Sequence, residues 1–207
     1  MATRVPDDGP VEAVRAFWDG AAATFDEEPD HGLRDPAVRS AWTALLRTHL
    51  PDPPADVLDL GCGTGSLIVL LASAGYRVDA LDLAPAMVSA ACDKVASAGV
   101  TATVQVGDAA DPPGRPGAYD VVLTRHVLWA LPDPAAAVSR WVRLLRPGGR
   151  MLLVEGQWWT GGGLSAEDTR RLVQPYATSV ELVALTDPTL WGGAISDERY
   201  LCIALPA

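Results

Sequence analysis

The residues best suited to chemistry lie in one short stretch, Val57-Leu58-Asp59-Leu60-Gly61-Cys62-Gly63-Thr64-Gly65. An apolar run leads into a glycine-rich turn and then a helix. Glycines in such a turn take positive φ and let a ligand lie directly against the backbone. The helix beyond offers unpaired N–H groups and the positive end of its dipole, which suit a carboxylate or phosphate. The same turn also closes ordinary strand–helix joints, so the motif alone leaves both readings open. Asp82 narrows them. It stands 21 residues after Gly61, at the end of the next expected strand, where a carboxylate holds both hydroxyls of a ribose. That spacing also fits a nicotinamide dinucleotide. However, the loop reads GxGxG where a dinucleotide site needs GxGxxG, and Asp59 puts an anion close to where a pyrophosphate would lie. A ligand with a cationic group fits better.

Alternating strands and helices must position these residues. Val57–Leu60 reads as a strand and Leu67–Ala74 as a helix closed by Gly75. Arg77–Leu83 is the next strand, followed by a helix from Pro85 to Ala98 that Gly99 ends. Thr101–Val106 and Tyr119–Thr124 are β-branched or apolar strands. Asp133-Pro134 opens a helix carrying Val138, Trp141, Val142 and Leu145, stopped by Pro147-Gly148-Gly149, before a fifth strand at Met151–Val154. Such alternation predicts a parallel sheet with right-handed crossovers and helices on both faces. The tail differs: Ser165–Tyr176 looks helical, and Val180–Leu185 and Arg199–Leu205 are strands close enough to pair antiparallel. Two helices precede the core. Gly9-Pro10 opens the first, with Val14, Phe17, Trp18, Ala21 and Phe25 at helical spacing. Asp35-Pro36 opens the second, with Val38, Trp42, Leu45 and His49 in step until Pro51.

At 207 residues, 49% apolar and 20% charged, the chain reads as one globular domain. Its net charge of −10 disfavours nucleic acid and anionic membranes as partners. Cys62, Cys92 and Cys202 form no CxxC pair, so neither a disulfide framework nor a metal site is expected. The first residues lack the apolar segment of a secretion signal, and the apolar run Leu67–Ala74 is too short for a bilayer. A cytoplasmic location is therefore expected.

DLGCGTG from Asp59, the acidic Asp82, Gly107-Asp108-Ala109, Tyr119-Asp120-Val121-Val122 and Leu145-Arg146-Pro147-Gly148-Gly149 together resemble class I S-adenosylmethionine-dependent methyltransferases. More narrowly, they are similar to the small-molecule branch labelled type 11, near the UbiE-like enzymes, over about Phe17 to Gly156. The resemblance implies an α/β, Rossmann-like seven-stranded sheet, mostly parallel with an antiparallel last strand and helices on both faces. One domain over 1–207 would comprise an N-terminal helical lid, 1–55, and a Rossmann-like core, 56–207. The implied cofactor is S-adenosyl-L-methionine, left as S-adenosyl-L-homocysteine after in-line transfer to O, N or C of a small molecule. A lid this short favours a small acceptor, aromatic or heterocyclic ones included; a monomer or homodimer is expected.

Position by position, the resemblance implies that Gly61, Gly63 and Gly65, with Cys62 between them, line the methionine moiety, with Asp59 near its ammonium group. Asp82 would take the ribose diol, and Leu83 and Met87 would flank the adenine. Asp108 would accept from the adenine amino group while Ala109 donates through its backbone. Thr124-Arg125-His126 would lie beneath the sulfonium, Arg125 on the cofactor side and His126 beside the acceptor. Phe17-Trp18-Asp19 through Phe25-Asp26 resembles a lid motif in which relatives carry a tyrosine at the place of Phe25. An O–H or protonated amine acceptor needs a general base, for which His126 is the first candidate and His31 the second. Trp18, Trp129, Glu155 and Trp158 sit where they would wall an acceptor at the carboxyl edge of the sheet. Thr160–Leu164 is either a mobile flap or a plain connection. An NAD-dependent oxidoreductase and a non-catalytic cofactor-binding protein are the competing readings.

Overall fold

The computed structural model describes residues 11–206, so the Gly9-Pro10 cap lies outside the described residues. Seven strands form one sheet: β1 (Asp56–Leu60), β2 (Arg77–Asp82), β3 (Thr103–Val106), β4 (Tyr119–Arg125), β5 (Leu145–Gln157), β6 (Ala177–Ala184) and β7 (Glu198–Pro206). Their order is β3-β2-β1-β4-β5-β7-β6. β1 through β5 pair in parallel, and β7 runs antiparallel to both of its neighbours. The helices are α1 (Val11–Ala21), α2 (Pro29–Gly32), α3 (Pro36–His49), α4 (Ser66–Ser73), α5 (Pro85–Ala98), α6 (Pro134–Leu144) and α7 (Ala166–Val173). The sheet separates two cores. One holds Trp42, Leu46, Ile68 and Leu71; the other holds Trp141, Met151, Tyr200 and Cys202. Strand order reverses between β1 and β4, and a ligand crevice opens at such a reversal, outside the carboxyl ends of the strands.

Local chemistry sets most boundaries. Asp35 accepts from the Ala37 N–H at 2.7 Å and Asp133 from the Ala136 N–H at 2.9 Å, each followed by a proline that starts the helix. Gly99 closes α5 in the left-handed conformation that a β-carbon disfavours, at φ +65°.

Several elements depart from the sequence expectations. α6 stops at Leu144, and buried Leu145 opens β5 opposite Tyr119. The register then jumps to Val121 opposite Arg150, so Pro147-Gly148-Gly149 forms a bulge inside the strand rather than a helix stop. α1 ends at Ala21, and Phe25 falls in a separate 3-10 turn, Phe25–Glu27. On α3 the buried face is Val38, Trp42 and Leu46, one position away from the expected Leu45. Pro175 cannot supply a helical N–H, and α7 gives way to a 3-10 turn at Gln174–Tyr176. The Thr160–Leu164 segment is a turn fastened to the end of β5: Trp158 donates to the Gly162 carbonyl and Leu164 to that of Gly156, both at 2.9 Å.

The N-terminal helices lie across the carboxyl edge. Asp19 on α1 accepts from the Ala86 N–H at 2.8 Å. It thereby caps α5, whose own N-cap residue, Ala84, has no side chain able to do so. Arg15 donates to the Leu83 carbonyl at 3.2 Å beside it.

Candidate active site

The loop after β1 is drawn inward by three N–H donors. Gly61 and Cys62 donate to the Leu81 carbonyl at 2.8 and 3.0 Å, and Gly63 donates to Asp82 Oδ2 at 2.8 Å. Gly61 takes φ +71°, and a β-carbon on it would overlap a Val127 methyl group. A β-carbon on Gly63 would stand 3.0 Å from the Phe25 ring. Gly65 is different. Its β-carbon would meet that of Ala91 at 2.9 Å, so this glycine brings α4 close to α5, and it does not line the cavity. The expected methionine contact from Gly65 is corrected on that geometry.

One cavity occupies the crevice at the ends of β1, β2 and β4. Asp59, Gly61, Cys62 and Gly63 form its floor, and Asp82, Leu83, Met87, Asp108 and Ala109 form one side. Arg125 and His126 form the other side, and Trp18, Phe25 and His31 close over it from the N-terminal helices. Sequence reasoning missed the rest of the wall: Val11, Val14, Leu67, Val127, Ala130, Leu131 and Pro132. The loop after β4 was locatable as a carboxyl-edge loop, but nothing in its types marks it.

Asp59 is 2% exposed and its Oδ2 has no hydrogen-bond partner. Burial pushes its carboxyl up to about 7, Arg125 opposing and Asp82 adding to the shift. Asp82 accepts from Gly63 through one oxygen and from Ala84 through the other, at 2.8 and 2.9 Å. Burial still raises its carboxyl above the ordinary range. Asp108 accepts from the Ala110 N–H at 2.8 Å, and Trp141 donates to the Ala109 carbonyl at 2.7 Å, fixing that wall. Arg125 is half-buried, donates to the Asp30 carbonyl and stacks 5.0 Å over Trp42.

His126 has φ +60°, and neither ring nitrogen has a hydrogen-bond partner. Trp158 meets the ring edge-on at 5.4 Å and Trp191 lies tilted at 6.0 Å. Burial, then Arg125, Arg199 and His31, hold its pKa well below the ordinary histidine value. His31 stacks on Phe25 at 4.2 Å, its Nδ1 also lacks a partner, and burial lowers its pKa despite nearby Asp30. Both imidazoles are therefore neutral at pH 7.

Three expected acceptor-site residues point elsewhere. Trp129 donates to the His126 carbonyl at 3.0 Å and packs on Trp158, and neither tryptophan lines the cavity. Glu155 is fully buried behind the wall, its Oε1 taken by the Val127 and Leu128 N–H groups at 3.0 and 2.7 Å. A strand alternates its side chains between two faces, so position at the carboxyl edge alone does not aim a side chain at the crevice.

A polar clasp at the rim also escaped the sequence. Lys94 Nζ lies 2.7 Å from Asp26 Oδ2 and donates to Thr64 Oγ1 at 3.0 Å and Ser66 Oγ at 2.7 Å. Thr64 itself donates to Asp26. Burial works against the Asp26 charge, but the bonds from Lys94 and Thr64 hold its carboxyl below the ordinary value.

Residues 58–153 match the family described as "Methyltransferase domain". The chain is 39% identical over 105 residues to the nocamycin O-methyltransferase of Saccharothrix syringae, covering 49% of this chain and 38% of that one. It is 35% identical over 138 residues to the ubiquinone biosynthesis O-methyltransferase of Xanthomonas euvesicatoria pv. vesicatoria, covering 66% and 54%. Thus the chain spans only about half the length, or less, of the curated relatives it matches. Geranyl diphosphate C-methyltransferase from Streptomyces coelicolor superposes with a TM-score of 0.68 at 18% identity, covering 81% of this chain and 76% of that one. That likeness concerns the fold. Over residues 58–153 the chain is thus similar to methyltransferase domains. Among the described residues no helix is long and apolar enough to cross a membrane.

Proposed function

We propose that the chain methylates a small molecule, with S-adenosylmethionine as donor and the cavity beneath the N-terminal helices as its site. The observation that carries this is Asp59, a buried carboxylate with an unpartnered oxygen in the floor of the cavity. Burying such a group without a partner is costly, and a ligand ammonium removes the cost. Its placement beside the glycine turn also argues against an NAD-dependent oxidoreductase, whose pyrophosphate would meet this anion.

In this reading the residues divide the cofactor between them. Asp59 holds the ammonium, Arg125 the carboxylate, and the Gly61-Cys62-Gly63 backbone runs beside the methionine chain. Asp82 keeps lone pairs beyond its two backbone bonds for a ribose diol. Leu83 and Met87 wall the adenine, with Asp108 and Ala109 at its edge. Phe25 presents a phenyl face and no hydroxyl. When bound, S-adenosylmethionine supplies a sulfonium methyl group that a nucleophile displaces in line.

The remaining work is alignment and exclusion of water, where orientation alone provides effective molarities of ~10⁵ M or more. Trp18, Phe25 and His31 exclude solvent from above. His126 faces the acceptor, its neutral ring able to accept a hydrogen bond from an O–H or N–H group; His31 supports it from the lid. Two O-methylating relatives support oxygen as the methylated atom. Residues 1–55 act as a lid on the core, 56–207, within one domain.

Calorimetric titration with S-adenosylhomocysteine and with NAD tests the cofactor assignment. Mass spectrometry of mixtures containing S-adenosylmethionine and a panel of phenols, enols and amines tests the chemistry. Binding of the homocysteine compound and a product heavier by one methylene unit are expected. Binding of NAD without the homocysteine compound overturns the proposal.

A further inference from the structure

We propose that Glu155 is a positioning residue that holds the His126 imidazole toward the acceptor through the backbone of the intervening loop. This rests on the reading that His126 faces the acceptor.

His126 is one of two non-glycine residues with positive φ among the described residues. A left-handed conformation at a residue with a β-carbon is strained and persists only where its surroundings enforce it. β5 enforces it here. The Val154 carbonyl accepts from the His126 N–H at 2.8 Å. The next residue on the strand, Glu155, accepts from Val127 and Leu128 through a single oxygen, at 3.0 and 2.7 Å. Three successive N–H groups are thus taken by two successive residues. The His126 carbonyl accepts from Trp129, and the ring lies against Trp158, three residues beyond Glu155. With backbone and ring both held, the two unpartnered nitrogens of a cavity-lining residue have a fixed direction.

The choice of a carboxylate is informative. An apolar side chain would leave two buried N–H groups unsatisfied, whereas one carboxyl oxygen accepts from both and holds the strained turn. Glu155 has no contact with the cavity and acts only through the loop. The charged or titratable groups facing His126 are Arg125, the residue before it, His31 in α2, and Arg199 on β7; Asp30 lies 3.7 Å from His31 and Asp197 3.1 Å from Arg199. Burial raises the Glu155 carboxyl to about 8, within reach of titration in the folded protein.

The experiment uses the intact chain and its three histidines, whose ring nitrogens are followed by NMR, with His126→Ala assigning the signal. In the native protein the His126 ring is expected to shift with pH in step with the Val127 and Leu128 amides. Glu155→Gln keeps an acceptor oxygen and removes the titration: the His126 signal should stay near its native position but lose the pH response it shared with those amides. Glu155→Leu should displace or broaden the His126 signal and speed its modification by diethyl pyrocarbonate about tenfold, as two lost hydrogen bonds to buried N–H groups imply. Both variants should bind S-adenosylhomocysteine within about threefold of native affinity, because Glu155 lies outside the cavity. A His126 ring that ignores the titration of its neighbouring amides overturns the proposal, even if the leucine variant fails to fold. So does an unchanged ring in a folded leucine variant. Failure of the native chain to bind S-adenosylhomocysteine would instead overturn the methyltransferase reading.

Discussion

Lys94, the single lysine of the chain, sets its ammonium 2.7 Å from the Asp26 carboxylate and so joins the N-terminal segment to α5. Its other two bonds, to Thr64 and Ser66, are on the core side. The clasp therefore spans the rim of the cavity that Phe25, the neighbour of Asp26, helps to close.

Removing that clasp should loosen the lid. Lys94→Met is expected to weaken S-adenosylhomocysteine binding by about tenfold, mainly through faster release, since a charged hydrogen bond contributes ~1–3 kcal/mol. Stopped-flow dissociation checks this. An unchanged release rate would show that the clasp does not gate the cavity.

Asp59 should make cofactor affinity depend on pH. With its carboxyl at about 7 in the ligand-free protein, the ionised form that pairs with an ammonium rises from a minor to a major species between pH 6 and pH 8. Affinity should therefore increase by about tenfold over that interval. Asp59→Asn should bind more weakly and lose the dependence. Calorimetry at both pH values provides the measurement.

Two glycines separate site from scaffold. Gly61→Ala places a methyl group against Val127 at the cavity floor, and Gly65→Ala places one against Ala91 away from it. Each should lower stability by ~1–3 kcal/mol through strain at positive φ and overpacking. Among folded molecules, only Gly61→Ala should lose cofactor affinity directly. Melting temperature and binding, measured on both variants, distinguish the two effects.

The buried carboxyls should also make ligand-free stability fall as pH rises. The folded pKa of Glu155 is raised to about 8 from an ordinary value of 4.5. The folded state therefore holds a proton that the unfolded state has lost, and stability declines until pH passes the folded value. Between pH 7 and pH 8.5 the loss should be about 1 kcal/mol, lowering Tm by roughly 2–4 °C. Glu155→Gln should flatten this slope. A native Tm that rises over the interval would contradict the buried acid.

Local signals made much of the fold legible. Pro85 and Gly99 bound α5 because one fits a helix start and the other a left-handed stop, whatever packs against the helix. The β5 bulge was not legible, since Leu145 joins the strand only through pairing with Tyr119, far away in the sequence. Of the candidate site, Asp59, Asp82 and Asp108 stand at or just beyond the carboxyl ends of β1, β2 and β3, and the cavity lies there. Gly65, Trp129, Glu155 and Trp158 follow the same logic of location, yet none of them lines the cavity.

By itself the sequence determined the alternation of strands and helices, the glycine turn after β1 and the acidic residues beyond successive strands, because periodicity, turn chemistry and caps act over a few residues. Only the tertiary structure decided which side chains share the cavity. It left Asp59 with an unpartnered oxygen, turned Glu155 onto the backbone after His126, and brought Lys94 to Asp26 across 68 positions of chain. Those outcomes depend on strand order and side-chain direction, which are settled when distant segments pack together and compete for the same buried space.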